Sequence, residues 1–450
     1  MHAHADLICF TPASFFTTTF SQLVQLSLTF VGTYLGCWLG LKLIGFLGEL
    51  GDAVVERVRA NSAHDAGRRR QAHTAGTVTA FRAGVLRAAA APAHHPTLRR
   101  YLVRFPMPAA IYLTDADLLA AIPATLGYVP ADSLVLVAAI DRGDGTARMG
   151  PITRFDLDTV VRHPGYVVAH LQQVLSEKPV MRLIGAVVHD NTDTGDLPYR
   201  PQLATFVQWL HDCGFTNIEL LHLPGFAPGV TWSCYDMESH TGTLTDPVTS
   251  PVTTHVITEG NRIYVSRDEF LRQFLPTPAD TRDRVAALAD PITDEVEREE
   301  LADDRPRLRQ RLDRIDDAVS AATGGYVPTD ENVIADLLAA LSNLRLRGIH
   351  LTQATAERAS AAHALWLHLW RHAPERYAPE MAALAATTAY LRHDGISAAA
   401  IFAKDPRPTQ LSKLIRAMHR NGIDPATVDP DFFTISQELR AELTTSTPDF

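Results

Sequence analysis

Apolar and polar residues alternate along the chain with spacings that predict most of its secondary structure. Thr114 precedes the apolar-rich segment Asp115–Leu126, so we expect a helix with Thr114 as its N-cap and Gly127 as its C-terminal stop. The nearly all-aliphatic run Ser133–Ile140 predicts a strand buried on both faces. A tight Gly-containing turn follows it and predicts a hairpin with a second strand, Ala147–Leu157.

Helical and strand patterns then alternate up to about residue 275. The predicted elements are the helices Pro164–Glu177, Arg200–Cys213 and Val252–Glu259 and the strands Val180–His189, Asn217–Leu223, Trp232–Asp236 and Arg262–Val265. Strands separated by helices imply crossover connections and some parallel pairing. We therefore predict an α/β (α+β) domain with a mixed sheet over residues 109–278.

The C-terminal part of the chain has only helical patterns. Residues 279–325 are dense in both charge signs, which indicates a charged linker or a solvated helix. Residues 326–445 contain short apolar-periodic segments separated by polar turns, which predict an all-α domain of helical hairpins, similar to tetratricopeptide units. Such arrays often present a groove, so we expect a protein partner to bind there.

The N-terminal part contains an apolar segment that could cross a membrane. Leu23–Leu47 carries Lys42 as its one formal charge and is long enough to span a bilayer. A buried core helix and a signal peptide are the alternatives, and the absence of basic residues before the segment disfavours the latter. We predict a single-pass transmembrane anchor over residues 1–50. Because arginines follow it, the C-terminal bulk is expected in the cytoplasm.

Small residues recur within this segment at a spacing that favours close helix packing. Gly32, Gly36 and Gly40 lie four residues apart and therefore share one helix face. This pattern predicts a homodimer in the membrane. The alternative is that glycine is simply common in such segments.

Charge is distributed unevenly along the chain. The formal net charge is −10, whereas residues 1–110 hold eleven Lys and Arg against five acidic residues. Residues 51–108 are read as a basic juxtamembrane linker, and Arg68, Arg69 and Arg70 are expected to contact anionic lipids of the cell membrane. Nucleic acid is not an expected partner, because aromatic residues are sparse among these arginines.

Four separated stretches, in order, resemble a family of actinobacterial proteins, the domain of unknown function 4192 family. They are Asp117–Val137, Arg154–Leu157, Val265–Arg267 and Ala382–Pro425. The resemblance covers about residues 110–430 and implies an architecture but no established activity. Family members often carry paired cysteines after a Trp/Ser/Cys stretch, whereas this chain keeps Cys234 alone. The family usually begins near Met107, so translation from Met107 would give a cytoplasmic protein without the N-terminal extension.

Several polar residues near predicted strand ends are candidates for a pocket. They are Arg154, Asp156, His189, Cys234, Ser266 and Arg267. Arg154 and Asp156 share a strand face and form either a salt bridge or a ligand site. Ser266 and Arg267 precede a helix, where they bind an anion or merely cap the helix. Strand-end groups can meet over a sheet edge, and this predicts an enzyme acting on a small polar or anionic substrate as one alternative.

No motif specifies a reaction, a metal or a cofactor. His363, His368 and His372 recur at one-turn spacing, but no further ligand accompanies them, and the four cysteines form no CxxC pair. We expect no metal and no cofactor, and whether the chain is an enzyme stays open. The leading interpretation is a membrane-tethered, cytosol-facing binding or scaffold protein. The soluble enzyme is its alternative.

Overall fold

The computed structural model describes residues 101–103, 111–143, 147–176, 178–190, 196–258 and 261–444, all of which belong to one compact unit. Within these ranges, no helix combines the length and apolarity needed to cross a membrane. The predicted anchor, its glycines Gly32, Gly36 and Gly40, and the basic linker with Arg68, Arg69 and Arg70 lie outside the described residues.

In the part of the chain that the structure describes, eight strands form one mixed sheet. They are β1 (Tyr101–Val103), β2 (Ile111–Leu113), β3 (Ser133–Asp141), β4 (Ala147–Asp156), β5 (Val180–Val188), β6 (Ile218–Leu223), β7 (Thr231–Cys234) and β8 (Thr241–Thr243), in the spatial order β2-β1-β4-β3-β5-β6-β7-β8. The pairs β1–β4 and β5–β6 are parallel, and the other neighbours are antiparallel. The predicted mixed sheet is therefore confirmed.

Six helices accompany the sheet in the described part of this domain. They are α1 (Asp115–Leu126), α2 (Leu157–Arg162), α3 (Pro164–Leu175), α4 (Arg200–Asp212), α5 (Pro251–Thr258) and α6 (Arg267–Arg272). Residues of α2, α3 and α4 form a core with one face of the sheet, centred on side chains such as Leu136, Leu183 and Phe206. The opposite face of β5 meets α1, whose Asp115 contacts Arg182.

The start of α1 follows its sequence signals closely. The Thr114 hydroxyl accepts a hydrogen bond from the Asp117 N–H, and the Asp117 carboxylate accepts one from the Thr114 N–H. Gly127 ends the helix at φ 77°, in the left-handed region that glycine adopts at low cost. The predicted strand Arg262–Val265 is wrong: Tyr264 alone forms an isolated bridge, with Tyr128, because it lies beside the α1–β3 turn and away from the sheet.

Nine helices form the C-terminal domain of the described chain. They are α7 (Ala279–Leu301), α8 (Arg305–Thr323), α9 (Glu331–Ser342), α10 (Leu344–Ile349), α11 (Ala356–His372), α12 (Ala378–Leu391), α13 (Gly395–Lys404), α14 (Gln410–Arg420) and α15 (Asp429–Thr444). The charged segment 279–325 is thus helical, and its helices α7 and α8 pack on α9 and α11. The nearly all-apolar α12 lies at the centre, against α11, α13 and α14, while α15 returns to α10 and α8.

The helical domain also contacts the sheet domain. Arg392 donates a hydrogen bond to Asn261 at 3.1 Å, and the Thr277 N–H donates one to the Arg371 carbonyl at 2.8 Å. Gly422, at φ 57°, approaches the Val174 carbonyl so closely that a Cβ atom would lie 2.5 Å from that oxygen. A side chain at this position would therefore push the two domains apart.

Candidate functional site

Two of the predicted site residues, Arg154 and Asp156, lie together where β4 ends, in what we call the strand-end cluster. Because β3 runs antiparallel to β4 and β5, its first residue, Ser133, pairs with Asp156 and with Val188. The Arg154 guanidinium contacts the Asp156 carboxylate at 2.6 Å and donates a hydrogen bond to the Ser133 hydroxyl at 2.8 Å. The salt bridge between Arg154 and Asp156 that the sequence offered as one alternative is therefore present.

Arg267 joins this strand-end cluster through Tyr128. Its guanidinium lies close enough to the Tyr128 hydroxyl to act on the pKa of that group. Burial raises the pKa of Tyr128, while the positive charges of Arg154 and Arg267 act in the opposite direction. Ser266 serves as the N-cap of the short helix α6, because its hydroxyl accepts a hydrogen bond from the Glu269 N–H at 3.2 Å.

His189 and Cys234 do not join Arg267 and Tyr128. His189 Nδ1 lies 2.7 Å from the exposed Asp132 carboxylate. Cys234 pairs with Leu221, and the strand register then leads across β6, β5 and β3 to Arg154. Four strand spacings of about 4.8 Å put Cys234 roughly 19 Å from Arg154. The six predicted residues therefore do not form one pocket.

Cys234 belongs instead to a buried polar group, which we call the Glu219 cluster. Its members are Asp115, Arg182, Glu219, Cys234 and His240. They come from the start of α1, from β5, β6 and β7, and from the β7–β8 turn. All but His240 are buried, and the His240 side chain is 25% exposed.

Glu219 lies at the centre of this cluster. Its Oε1 atom is 2.8 Å from His240 Nδ1 and 3.9 Å from Cys234 Sγ, while its Oε2 atom contacts the Arg182 guanidinium. His240 Nε2 lies 3.3 Å from Asp115 Oδ2. Both ring nitrogens of His240 therefore face a carboxylate oxygen.

The model of the family described as domain of unknown function, DUF4192, matches residues 116–426. The match covers more than half of the chain. The chain belongs to the DUF4192 family. No curated protein and no solved structure matches it.

The DUF4192 match includes four members of the Glu219 cluster and starts directly after the fifth, Asp115. Register explains how they meet. Glu219 and Leu221 alternate with Leu220, which packs in the core on the other face of the sheet, and Cys234 lies directly opposite Leu221. Arg182 lies on the same face of β5, because its neighbour Leu183 packs in that core.

Two carboxylates of this DUF4192 cluster, those of Asp115 and Glu219, contact the buried guanidinium of Arg182. Burial raises the pKa of the Cys234 thiol, and the negative charge of Glu219 raises it further. A carboxylate, a thiol and an imidazole therefore meet at Glu219, Cys234 and His240.

Sequence reasoning placed Cys234 among the candidates but missed Asp115, Arg182 and Glu219. Asp115 also lies in the first turn of α1, where an acidic residue faces the positive end of the helix dipole. The missed signal was a charged residue within each of two otherwise apolar strands, since Arg182 and Glu219 interrupt runs of aliphatic residues. Charged side chains are rarely buried without a partner, so each interruption indicated a buried polar cluster.

The predicted histidine series lies in α11, and its members face different groups. His363 Nδ1 is 3.2 Å from the Ala385 carbonyl, and His368 Nε2 is 2.8 Å from the Pro328 carbonyl. His372 Nδ1 contacts the His368 carbonyl at 2.8 Å. Burial lowers the pKa of His363 and of His368 to about 4. These rings serve the packing of the helical domain.

Proposed function

We propose that this DUF4192 protein is a binding or scaffold protein whose helical domain holds a basic amphipathic helix of a partner protein. The observation that carries the proposal is a groove of about 450 Å³ between α7, the end of α9 and the start of α12. Its volume falls within the range of about 300–1,000 Å³ that is typical of binding clefts.

The groove has a buried apolar floor and two exposed leucines at its rim. Its apolar lining residues are Val296, Leu301, Leu338, Leu341, Leu344, Tyr377 and Met381. Leu301 is 70% exposed and Leu344 is 41% exposed, so two leucines at its rim lack cover. Adjacent exposed apolar residues favour the apolar face of an amphipathic helix as the occupant.

The charges around the groove favour a basic partner. Glu297, Glu300 and Glu380 line it, and each pairs with an arginine: Arg376 at 3.2 Å, Arg345 at 3.2 Å and Arg347 at 3.1 Å. Arg345 and Arg347 are buried and do not line the groove, so the lining contains three carboxylates and one guanidinium. Complementary charge across an interface selects the partner and speeds association. As in the predicted helical-hairpin array, the groove lies between neighbouring helices. Binding in this groove does not require a tetratricopeptide repeat.

The sequence supports a membrane location for this binding function. The apolar segment Leu23–Leu47 and the arginines after it favour a single-pass anchor with the helical domain on the cytoplasmic side. The full chain should then sediment with membranes and stay there at high salt. Release at high salt would indicate electrostatic attachment through the arginines instead.

The enzyme alternative receives less support, because it required its candidate residues to converge. Arg154 forms a salt bridge with Asp156 and a hydrogen bond with Ser133, and Cys234 lies on a distant strand. Within the described residues, the strand-end cluster is accordingly read as structural.

Peptide binding tests the groove directly. Two fluorescent helical peptides of the same Leu pattern, one with Lys and one with Glu on the polar face, are titrated with the full chain. The Lys peptide should bind at least tenfold more tightly, and the double variant Leu301→Gln/Leu344→Gln should lose that binding. Val265→Gln, at a residue of similar exposure in the sheet domain, is the matched control. Equal affinity for both peptides, or unchanged binding by the double variant, would overturn the proposal.

A further inference from the structure

We propose that Glu219, Cys234 and His240 bind one divalent transition-metal ion of the zinc class. The three residues supply a carboxylate oxygen, a sulfur and an imidazole nitrogen. These ligand atoms all lie within 4.8 Å of one another. The proposal is independent of the groove in the helical domain.

The distances fit a shared ion. Ligand atoms about 2.0–2.3 Å from a tetrahedral zinc ion lie roughly 3.3–3.6 Å from one another. The observed separations from Glu219 Oε1 are 2.8 Å to His240 Nδ1 and 3.9 Å to Cys234 Sγ, on either side of that range. Shifts of about an ångström in these side chains would bring all three separations, which are at most 4.8 Å, into that range.

The surrounding residues hold the ligands as outer partners do in known metal sites. A histidine ligand commonly donates its other ring N–H to a carboxylate, which fixes the ring and its tautomer. Here His240 Nε2 faces Asp115 Oδ2 at 3.3 Å, which leaves Nδ1 for the ion. Arg182 contacts the Oε2 atom of Glu219, which leaves Oε1 for the ion.

The ligand set selects the class of metal. Sulfur and imidazole ligands favour zinc and its neighbours, whereas calcium and magnesium prefer sites made of oxygen atoms alone. Three protein ligands leave a fourth position for water or an exogenous ligand, and the partial exposure of His240 places solvent within reach.

The alternative is an ion-pair network without metal. A neutral imidazole can donate to one of its two carboxylate neighbours but not to both. Either a metal ion at Nδ1 or a second proton on the ring satisfies both contacts. The experiment must therefore separate a bound metal from a protonated His240.

Metal titration of the full chain makes that distinction. After treatment with a chelator and desalting, the chain is equilibrated with Zn²⁺, and bound metal is measured by mass spectrometry of the elements. We expect one zinc per chain. Cys234→Ser and His240→Gln should each retain less than a tenth of it, while Cys213→Ser, which changes the exposed Cys213, should retain all.

Cobalt provides a second readout that does not depend on affinity alone. Co²⁺ bound to a thiolate gives a charge-transfer absorption in the near ultraviolet. We expect this band with the wild-type chain and with Cys213→Ser, and its loss with Cys234→Ser. Circular dichroism checks that each variant is folded. A folded wild-type chain that binds no zinc and shows no cobalt band would overturn the proposal. The ion-pair network without metal would then be the correct description.

Discussion

Two buried arginines, one in each domain, form similar ion pairs in different chemical surroundings. Arg311 of α8 donates two hydrogen bonds to Glu299 of α7, at 2.6 and 2.9 Å. Arg182 of β5 contacts both Glu219 and Asp115. The first is a bidentate pair between two helices, whereas the second joins one guanidinium to two buried carboxylates of a cluster that also holds a thiol and an imidazole.

The groups around the two arginines also differ in exposure and in chemistry. Around Arg311 the further acids, Glu295 and Asp336, are partly exposed, so solvent screens their charge. Around Arg182 the further groups are Cys234 and His240, the sulfur and imidazole ligands of the proposed metal site. The forked geometry at Arg311 indicates a structural link between helices. Sulfur and imidazole groups beside a carboxylate indicate a place for a metal ion.

The largest expected difference comes from removing one carboxylate from each cluster in chelator-treated protein. Glu299→Gln leaves the buried guanidinium of Arg311 without its bidentate partner and should lower the free energy of unfolding by about 3 kcal/mol. Glu219→Gln leaves Arg182 paired with Asp115 and should change it by less than about 1 kcal/mol. Urea unfolding at pH 7.5 measures both.

The exposed Glu297 supplies the control for this pair of variants. Its side chain is 61% exposed, so Glu297→Gln should change the free energy of unfolding by less than about 0.5 kcal/mol. If Glu219→Gln destabilised the protein as much as Glu299→Gln, the contrast between the clusters would fail.

One histidine of the helical domain, His350, has surroundings unlike those of His240 in the sheet domain. His240 has carboxylates at both ring nitrogens, whereas neither ring nitrogen of His350 has a hydrogen-bond partner among the described residues. Burial lowers the pKa of His350 to about 4, while the unfolded chain has a histidine pKa near 6.5. As the pH falls from 6.5 toward 4, the unfolded state binds a proton that the folded state does not. His350 therefore destabilises the fold in this window.

His350→Phe tests this dependence with a ring of similar shape beside Trp366, which packs edge-on to His350. At pH 5 the variant should be more stable than the wild type by about 2 kcal/mol, and at pH 7.5 the two should agree within about 1 kcal/mol. Urea unfolding across pH 5–8 gives both values. His211→Gln, at an exposed histidine of α4, should keep the wild-type profile. A His350→Phe profile parallel to the wild type would contradict the assignment.

The smallest expected effect concerns the helix caps beside the two clusters. Thr114 caps α1 next to Asp115, and Asp304 caps α8, the helix that carries Arg311. Thr114→Ala and Asp304→Ala should each lower the free energy of unfolding by about 1 kcal/mol. Thr114→Ala alone should also weaken zinc binding, because it loosens the turn that holds Asp115, and Thr114→Ser should restore it. If both alanine variants bound zinc with equal affinity, Asp115 would have no role in holding the metal site.

Local signals in the sequence predicted much of the fold. Thr114 and Gly127 predicted both ends of α1, and the aliphatic run after the Tyr128 turn predicted β3. Caps and aliphatic runs work because they act through a residue's own neighbours. The predicted strand Arg262–Val265 is wrong because strand formation also needs a partner strand, which the local pattern does not provide. This segment lies beside the α1–β3 turn, where only Tyr264 forms a bridge.

The sequence by itself determined the mixed sheet domain, the helical domain after it and the family, because each depends on periodicity or on motifs read along the chain. The tertiary structure decided which polar side chains meet. Arg182, Glu219 and Cys234 lie far apart in sequence, and strand order and register bring them to one face of the sheet. Pairing between strands sets those distances, and no spacing along the chain encodes it.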